Sequence, residues 1–229
     1  AINDVVYFTV RNEFQSSVLV SISRDRMIQV FLKRANDIEW SLSETLANNK
    51  ANVICMERVE NKIYVASSDR TVSIYRFEME DKGLVVHKEK MLTLRSTPVA
   101  LGLHDNTIIV STQDKQLVIF DSDNNHEILK TLKLCDEHSD GILIDNFIVN
   151  GKAGNATKQI ICSSSFDKAL RCYNYNSGRL IKQYYCHSEP IVGLCKLEDG
   201  KLLSISSNGC LFFWSPRKET EHNSESTVF

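Results

Sequence analysis

Five short segments of this chain place an acidic or amide residue six positions before an aromatic residue. The pairs are Asp25 and Phe31, Asp69 and Tyr75, Asp114 and Phe120, Asp167 and Tyr173, and Asn208 and Trp214. The pairs recur at intervals of roughly 40–50 residues, a spacing typical of β-propellers, in which each repeat is one four-stranded sheet. The spacing therefore predicts an all-β propeller with five blades, with these residues in structural positions.

The blades are expected at 1–50, 51–95, 96–136 and 137–187, the fourth with a hairpin insertion near 150–158. A last blade at 188–216 lacks its outer strand, and a polar tail follows at 217–229. Because closure removes exposed sheet edges, the missing strand is expected either from N-terminal sequence beyond this chain or from residues 226–229. Seven blades are usual for such repeats. We therefore expect the C-terminal part of a seven-bladed propeller, and closure of five blades alone is the alternative.

Composition argues against several classes of function. The net charge of −2 gives no sign of a nucleic-acid or membrane partner, and no apolar run approaches the length of a membrane span. The seven cysteines are odd in number and form no CxxC pair, which favours reduced, structural thiols in the cytoplasm or nucleus. Nucleotide-binding, hydrolase and zinc motifs are absent. We expect no catalytic residue, cofactor, metal or small-molecule substrate.

The five repeats resemble those of WD-repeat proteins, on segments such as VASSDRTVSIY and SISSNGCLFFW. The resemblance implies that a turn residue, a strand hydroxyl, a loop histidine and the aromatic residue form one hydrogen-bonded column. His187, Ser206, Asn208 and Trp214 match that column in the last repeat, and His138 is expected to serve Asp167. A catalytic triad is the alternative interpretation, but the same grouping recurs in every repeat and no nucleophile elbow is present.

The residue after each acidic position is cationic in four repeats. These residues are Arg26, Arg70, Lys115 and Lys168, with Gly209 in the fifth repeat and Arg24 as an additional charge. Turns between the second and third strands all lie at one end of a propeller. We hypothesise a ring of cations that binds an acidic or phosphorylated segment of a protein partner. The alternative is that such cations are common in these turns and remain solvated.

A narrower resemblance is to the MAP-kinase-binding WD-repeat scaffolds, which include spindle-pole proteins of primary microcephaly. The segments that carry it are VSISRDRMIQVF, SGRLIKQYYCHSEPIVGLCKLEDGKLLSIS and SSNGCLFFW. It implies a non-enzymatic scaffold in kinase signalling or mitotic spindle organisation, cytoplasmic or nuclear and associated with the cytoskeleton. A structural subunit of a nuclear assembly, in ribosome biogenesis or as a ubiquitin-ligase substrate receptor, is the alternative. An enzyme using the central channel is disfavoured, because the inner strands VVYFTV, NVICM and PVALGL offer almost no titratable residues.

Overall fold

The computed structural model describes residues 1–10, 16–47, 49–80, 83–104, 106–133, 141–148, 156–163, 167–197 and 201–214. For residues 104, 141–148, 156–163 and 196 it describes the backbone alone. His138, the stretch 149–155 that carries most of the predicted insertion, and the predicted tail at 217–229 lie outside these ranges.

Every regular element in the described residues is a β-strand, and the strands group into five successive sheets. Blade 1 contains β1 (Ile2–Val10), β2 (Ser16–Ser23), β3 (Ile28–Lys33) and β4 (Ser41–Leu46). Blade 2 contains β5 (Val53–Val59), β6 (Lys62–Ser67), β7 (Thr71–Glu80) and β8 (Gly83–Thr93). Blade 3 contains β9 (Pro98–His104), β10 (Thr107–Thr112), β11 (Gln116–Asp121) and β12 (Glu127–Lys133). Blade 4 contains β13 (Gly141–Ile148), β14 (Ala156–Ser163), β15 (Ala169–Asn174) and β16 (Leu180–Tyr185). Blade 5 contains β17 (Ile191–Lys196), β18 (Leu202–Ser206) and β19 (Leu211–Trp214).

Each blade is an antiparallel sheet in which every strand pairs with its neighbour in sequence. The first strands of the blades, β1, β5, β9, β13 and β17, pack against one another in that order. This succession about a common centre confirms the predicted propeller. No comparable packing joins β17 to β1, so the ring formed by the described strands is open between blades 5 and 1.

A register shift recurs at the same place in blades 1 to 4. It falls directly before the periodic aromatic residue, between the third and fourth strands: Val30/Phe31, Ile74/Tyr75, Ile119/Phe120 and Cys172/Tyr173. A bulge bends the strand that carries it and increases its local twist. Because the shift is repeated, the outer edges of the four blades share one curvature.

The apolar core lies between blades rather than within a single sheet. Tyr75 packs with residues of blade 1, Phe120 with blade 2, Tyr173 with blade 3 and Trp214 with blade 4. Each periodic aromatic residue therefore faces the preceding blade. Phe31, the first of the series, has no preceding blade among the described residues and is only half-buried.

Candidate functional site: the cation-bearing turns at one end of the propeller

The turns between second and third strands share one backbone geometry in blades 1, 2, 3 and 5, where the structure describes the whole turn. In these four turns the amide N–H of the fourth residue donates to the carbonyl oxygen of the first. The N···O distances are 3.2 Å from Arg26 to Ser23, 3.2 Å from Arg70 to Ser67, 3.0 Å from Lys115 to Thr112 and 2.9 Å from Gly209 to Ser206. The turns are therefore equivalent structural positions, and their side chains emerge at the same end of the propeller.

The residue after each acidic position adopts a left-handed backbone conformation. The φ angle is 71° at Arg26, 67° at Arg70, 64° at Lys115, 61° at Lys168 and 83° at Gly209. This region is uncrowded for glycine and disfavoured for residues with a Cβ atom. Glycine occupies it in blade 5, whereas blades 1 to 4 place a cation where the backbone alone would favour glycine.

The turn carboxylates are engaged by their own turns. Asp69 Oδ1 accepts a hydrogen bond from Thr71 Oγ1 at 2.6 Å, and Asp114 Oδ1 accepts one from Thr112 Oγ1 at 2.6 Å. Asp25 Oδ1 accepts the backbone N–H of Met27 at 3.0 Å. These bonds hold the turn in shape, as expected for aspartate in such positions.

The cations differ in their surroundings from one blade to the next. Arg24, Arg26 and Arg70 are exposed, and their guanidinium groups bond to no residue that the structure describes. Lys168 is half-buried and its ammonium group donates to the carbonyl oxygen of Ser188. Lys115 is also half-buried. The predicted cations thus share one end of the propeller, but the exposed arginines belong to blades 1 and 2.

Further cations lie at this end and escaped the sequence analysis, among them Lys133 at the end of β12 in blade 3. Lys50 and Arg95 lie in the loops that lead from one blade to the next, and both are exposed. Those loops join the same end, because Ser68 N donates to Asn52 O and Gln113 N to Thr97 O, both at 2.9 Å. We call the set Arg24, Arg26, Lys50, Arg70 and Arg95 the basic sector. Lys50 and Arg95 each lie 19 residues before the turn aspartate of the next blade, Asp69 and Asp114, so the repeat spacing and the rule that these loops and turns share one end could together have found them.

Two carboxylates on the inner strands also escaped the sequence analysis. Asp4 lies on β1 and Glu57 on β5, one residue outside the apolar segments that suggested an almost uncharged channel. Burial raises the pKa of Asp4, and burial together with the charge of Asp4 raises the pKa of Glu57 to about 7. Asp4 Oδ2 accepts Met56 N at 3.1 Å, so it also joins the inner strands of blades 1 and 2. The expectation of almost no titratable residue on the inner strands was wrong.

The hydrogen-bonded column of blade 5 differs from the predicted one. His187 Nε2 lies 2.7 Å from Ser204 Oγ, and Trp214 Nε1 donates to the same oxygen at 2.9 Å. Ser206, the predicted hydroxyl, donates instead to Asn208 Oδ1 at 2.6 Å. The reason is position along β18: Ser206 ends the strand beside the turn, whereas Ser204 is paired with Phe212 and faces the indole. Burial lowers the pKa of His187, which favours its neutral form.

Comparison with known proteins agrees with this architecture. No known protein-family profile matches the chain. WD repeat-containing protein 62 of Sus scrofa is 21% identical over 204 residues, which are 86% of this chain and 12% of that protein. The Mus musculus protein of the same name is 19% identical over 204 residues, covering 86% of this chain and 13% of its own length. The chain therefore spans about an eighth of the length of these curated relatives.

Solved structures show the same fold. A crystal structure of BBS1N in complex with ARL6DN, soaked with mercury, matches 93% of this chain and 65% of its own, with a TM-score of 0.62 and 16% identity. The lead-soaked crystal of the same complex matches with a TM-score of 0.64 and 16% identity, covering 96% of this chain and 62% of its own. The fold is a β-propeller, and the curated proteins that the chain resembles are WD repeat-containing proteins.

In blade 4 the turn residue Asp167 forms an ion pair with Arg171 of β15, which the spacing of the repeats did not reveal. The Arg171 side chain is buried and bonds to Asp167, with Nη1 3.2 Å from Oδ1 and Nη2 on Oδ2. Asp167 Oδ1 also accepts Ala169 N at 3.2 Å. The predicted partner of Asp167, His138, lies outside the described residues. A buried arginine four residues after the turn is a partner that the WD-repeat resemblance did not suggest.

The remaining chemistry of the described residues is limited. No group of three His, Cys, Asp or Glu side chains in the described part of the chain is placed to hold a metal ion. Cys55 and Cys172 are free thiols, and burial raises their pKa to about 12 and about 11, which makes them poor nucleophiles. Across the described ranges, no helix is long and apolar enough to cross a membrane.

Proposed function

We propose that this chain is a non-catalytic scaffold that binds protein partners through the end of the propeller that carries the basic sector. The observation that supports it is the pattern of exposure there. Arg24, Arg26 and Arg70 project from turns that are fixed by backbone hydrogen bonds, and their guanidinium groups bond to no residue that the structure describes. Loops and turns held on a rigid scaffold are where binding residues concentrate.

The relatives support the same function. Two curated proteins that match most of this chain are WD repeat-containing proteins, and a solved propeller with this fold is in complex with a protein, ARL6DN. The inner-strand carboxylates support a structural role rather than catalysis. Asp4 accepts two backbone amides, from Val5 at 2.8 Å and from Met56 at 3.1 Å.

The finer assignment follows from the sequence resemblance to MAP-kinase-binding scaffolds. We propose that the partners belong to MAP-kinase signalling or to mitotic spindle organisation, in the cytoplasm or nucleus and at the cytoskeleton. The support is the order of the segments VSISRDRMIQVF, SGRLIKQYYCHSEPIVGLCK and SSNGCLFFW along the chain.

Affinity purification of the full-length protein followed by mass spectrometry tests this proposal. The protein is compared with a variant in which Arg26→Glu and Arg70→Glu are combined. The matched control combines Arg34→Glu and Arg179→Glu, which reverse two exposed arginines in the turns at the opposite end. We expect a set of partners that the first variant loses and the control keeps. Equal recovery of all partners by both variants would exclude this end as the binding surface, and recovery of kinase or spindle proteins decides the pathway.

A further inference from the structure

We propose that the basic sector recognises a phosphoryl group carried by a segment of the protein partner. The inference rests on the proposed function and names the chemistry of the same surface. The structure offers this chemistry in blades 1 and 2, rather than around the whole ring of blades.

The net charge of the basic sector favours an anionic ligand. The sector combines five exposed cations with the two turn carboxylates Asp25 and Asp69. Neither carboxylate forms an ion pair with a sector cation in the described residues, since Asp25 bonds to Met27 N and Asp69 to Thr71 Oγ1. The excess positive charge suits a dianion, and a phosphorylated side chain carries close to two negative charges at neutral pH.

The side chains of the basic sector suit a phosphate better than a carboxylate. Four of the five cations are arginines: Arg24, Arg26, Arg70 and Arg95. The planar guanidinium donates two parallel hydrogen bonds to a phosphate, and three phosphoryl oxygens accept from more than one arginine at once. A single side-chain carboxylate has one negative charge and two oxygens, so it satisfies fewer of these donors.

Two arginines of the basic sector lie at turn positions whose backbone conformation favours glycine. Arg26 and Arg70 adopt φ angles of 71° and 67°, where a residue with a side chain costs free energy because its Cβ approaches the following carbonyl oxygen. Gly209 occupies the equivalent position in blade 5 without that cost. Arginine at these two positions therefore places a guanidinium group where the backbone alone would favour glycine.

The turns of blades 3 to 5 differ from those of blades 1 and 2, so the proposed phosphoryl-binding surface is confined to blades 1 and 2. Lys168 already donates to the carbonyl oxygen of Ser188, Lys115 is half-buried, and Gly209 has no side chain. A phosphoryl group is therefore expected above blades 1 and 2, near Asn49. The Asn49 Nδ2 atom donates to Arg26 O at 3.1 Å and ties the connecting loop to the first turn.

Fluorescence anisotropy with the full-length protein tests this proposal. The probe is a fluorescein-labelled peptide library with a fixed central phosphoserine or phosphothreonine and degenerate flanking residues. The same library after phosphatase treatment is the reference. We expect at least a tenfold tighter Kd for the phosphorylated library, and a Kd that weakens as salt is raised.

A glycine variant separates binding from folding. Combining Arg26→Gly and Arg70→Gly removes both guanidinium groups while relieving the left-handed backbone, so the variant is expected to fold at least as well as the parent. We expect it to lose the preference for phosphorylated peptide, and the Arg34→Glu, Arg179→Glu control to keep it. Retained preference in the glycine variant would overturn the proposal.

Further binding measurements distinguish a phosphorylated peptide from other anionic ligands. Equal binding of the phosphorylated and dephosphorylated libraries would overturn the proposal. Binding is also measured to vesicles that contain 5% phosphatidylinositol bisphosphate and to a single-stranded RNA. If the glycine variant loses binding to either of these, and the peptides show no preference for phosphate, the proposal is overturned. Partners captured in an arginine-dependent but phosphatase-insensitive manner would leave the proposed scaffold function intact and remove only the phosphoryl assignment.

Discussion

Blade 2 and blade 5 carry the same apolar pattern on their third strands but bury it differently. Val72 and Ile74 of β7 are 0% exposed, since blade 3 covers them. The equivalent residues of β19, Leu211 and Phe213, are 52% and 63% exposed, since no described blade follows blade 5. The apolar pattern of the third strand is therefore suited to a blade that has another blade on each side. Where one of these blades is absent from the described residues, the same apolar side chains lie at the surface.

The largest expected effect tests this difference directly. Replacing Ile74→Ala should lower the free energy of unfolding by about 2–5 kcal/mol, because a fully buried side chain is removed from the interface between blades 2 and 3. Phe213→Ala should cost under about 1 kcal/mol in this chain, since the ring is mostly exposed. Urea denaturation measures both. A loss for Phe213→Ala as large as for Ile74→Ala would show that the outer face of blade 5 is covered.

The second comparison concerns two turn aspartates. Asp167→Ala should cost about 3–5 kcal/mol, because it removes a carboxylate that is bonded to the buried Arg171 guanidinium. Asp25→Ala removes one bond to Met27 N at an exposed turn and should cost about 1 kcal/mol or less. Thermal unfolding at neutral pH distinguishes them. Similar losses for the two variants would mean that the ion pair adds nothing to the turn.

The third comparison concerns the inner and outer surfaces of the propeller. Glu57 keeps its proton to about pH 7 in the folded chain, whereas the ordinary value for glutamate is 4.5. Between these values the folded state binds more protons than the unfolded state, so the free energy of unfolding falls as the pH rises. Glu57→Gln should reduce that fall and stabilise the protein by roughly 1–3 kcal/mol at pH 8. The exposed Glu39→Gln is the control, and an unchanged pH profile in Glu57→Gln would contradict the buried setting.

The smallest expected effect compares turn positions between blades. Arg70→Gly should stabilise the protein by about 0.5–1 kcal/mol, because relief of the left-handed conformation outweighs the greater freedom of glycine in the unfolded chain. Gly209→Ala should destabilise by about 1 kcal/mol through the backbone alone, since no atom lies within 4 Å of the added Cβ. Effects of the same sign at both positions would show that the two turns are not equivalent.

The architecture could be predicted from the spacing of residues within each repeat, whereas contacts between repeats could not. The turn residue and the aromatic residue six positions later belong to one turn and the strand that follows it, so each recurrence of the pair marks one blade. Ser204 was missed because two serines on β18 fit the column equally well by sequence. Glu57 was missed because its setting depends on Asp4, which lies in another blade. Lys50 and Arg95 were missed because they lie in the loops between blades, away from the turn and aromatic residues that define the repeat.

Pairing of every strand with its neighbour in sequence has a consequence for how the molecule opens. Each sheet is assembled from one short stretch of chain, and long-range cohesion comes only from the contact of one sheet with the next. Among the described blades, blades 1 and 5 contact a single neighbour each, so they are expected to unfold locally before the blades between them. Native-state amide exchange should therefore be slowest in β10 of the central blade, faster in β6 and β14, and fastest in β2 and β18.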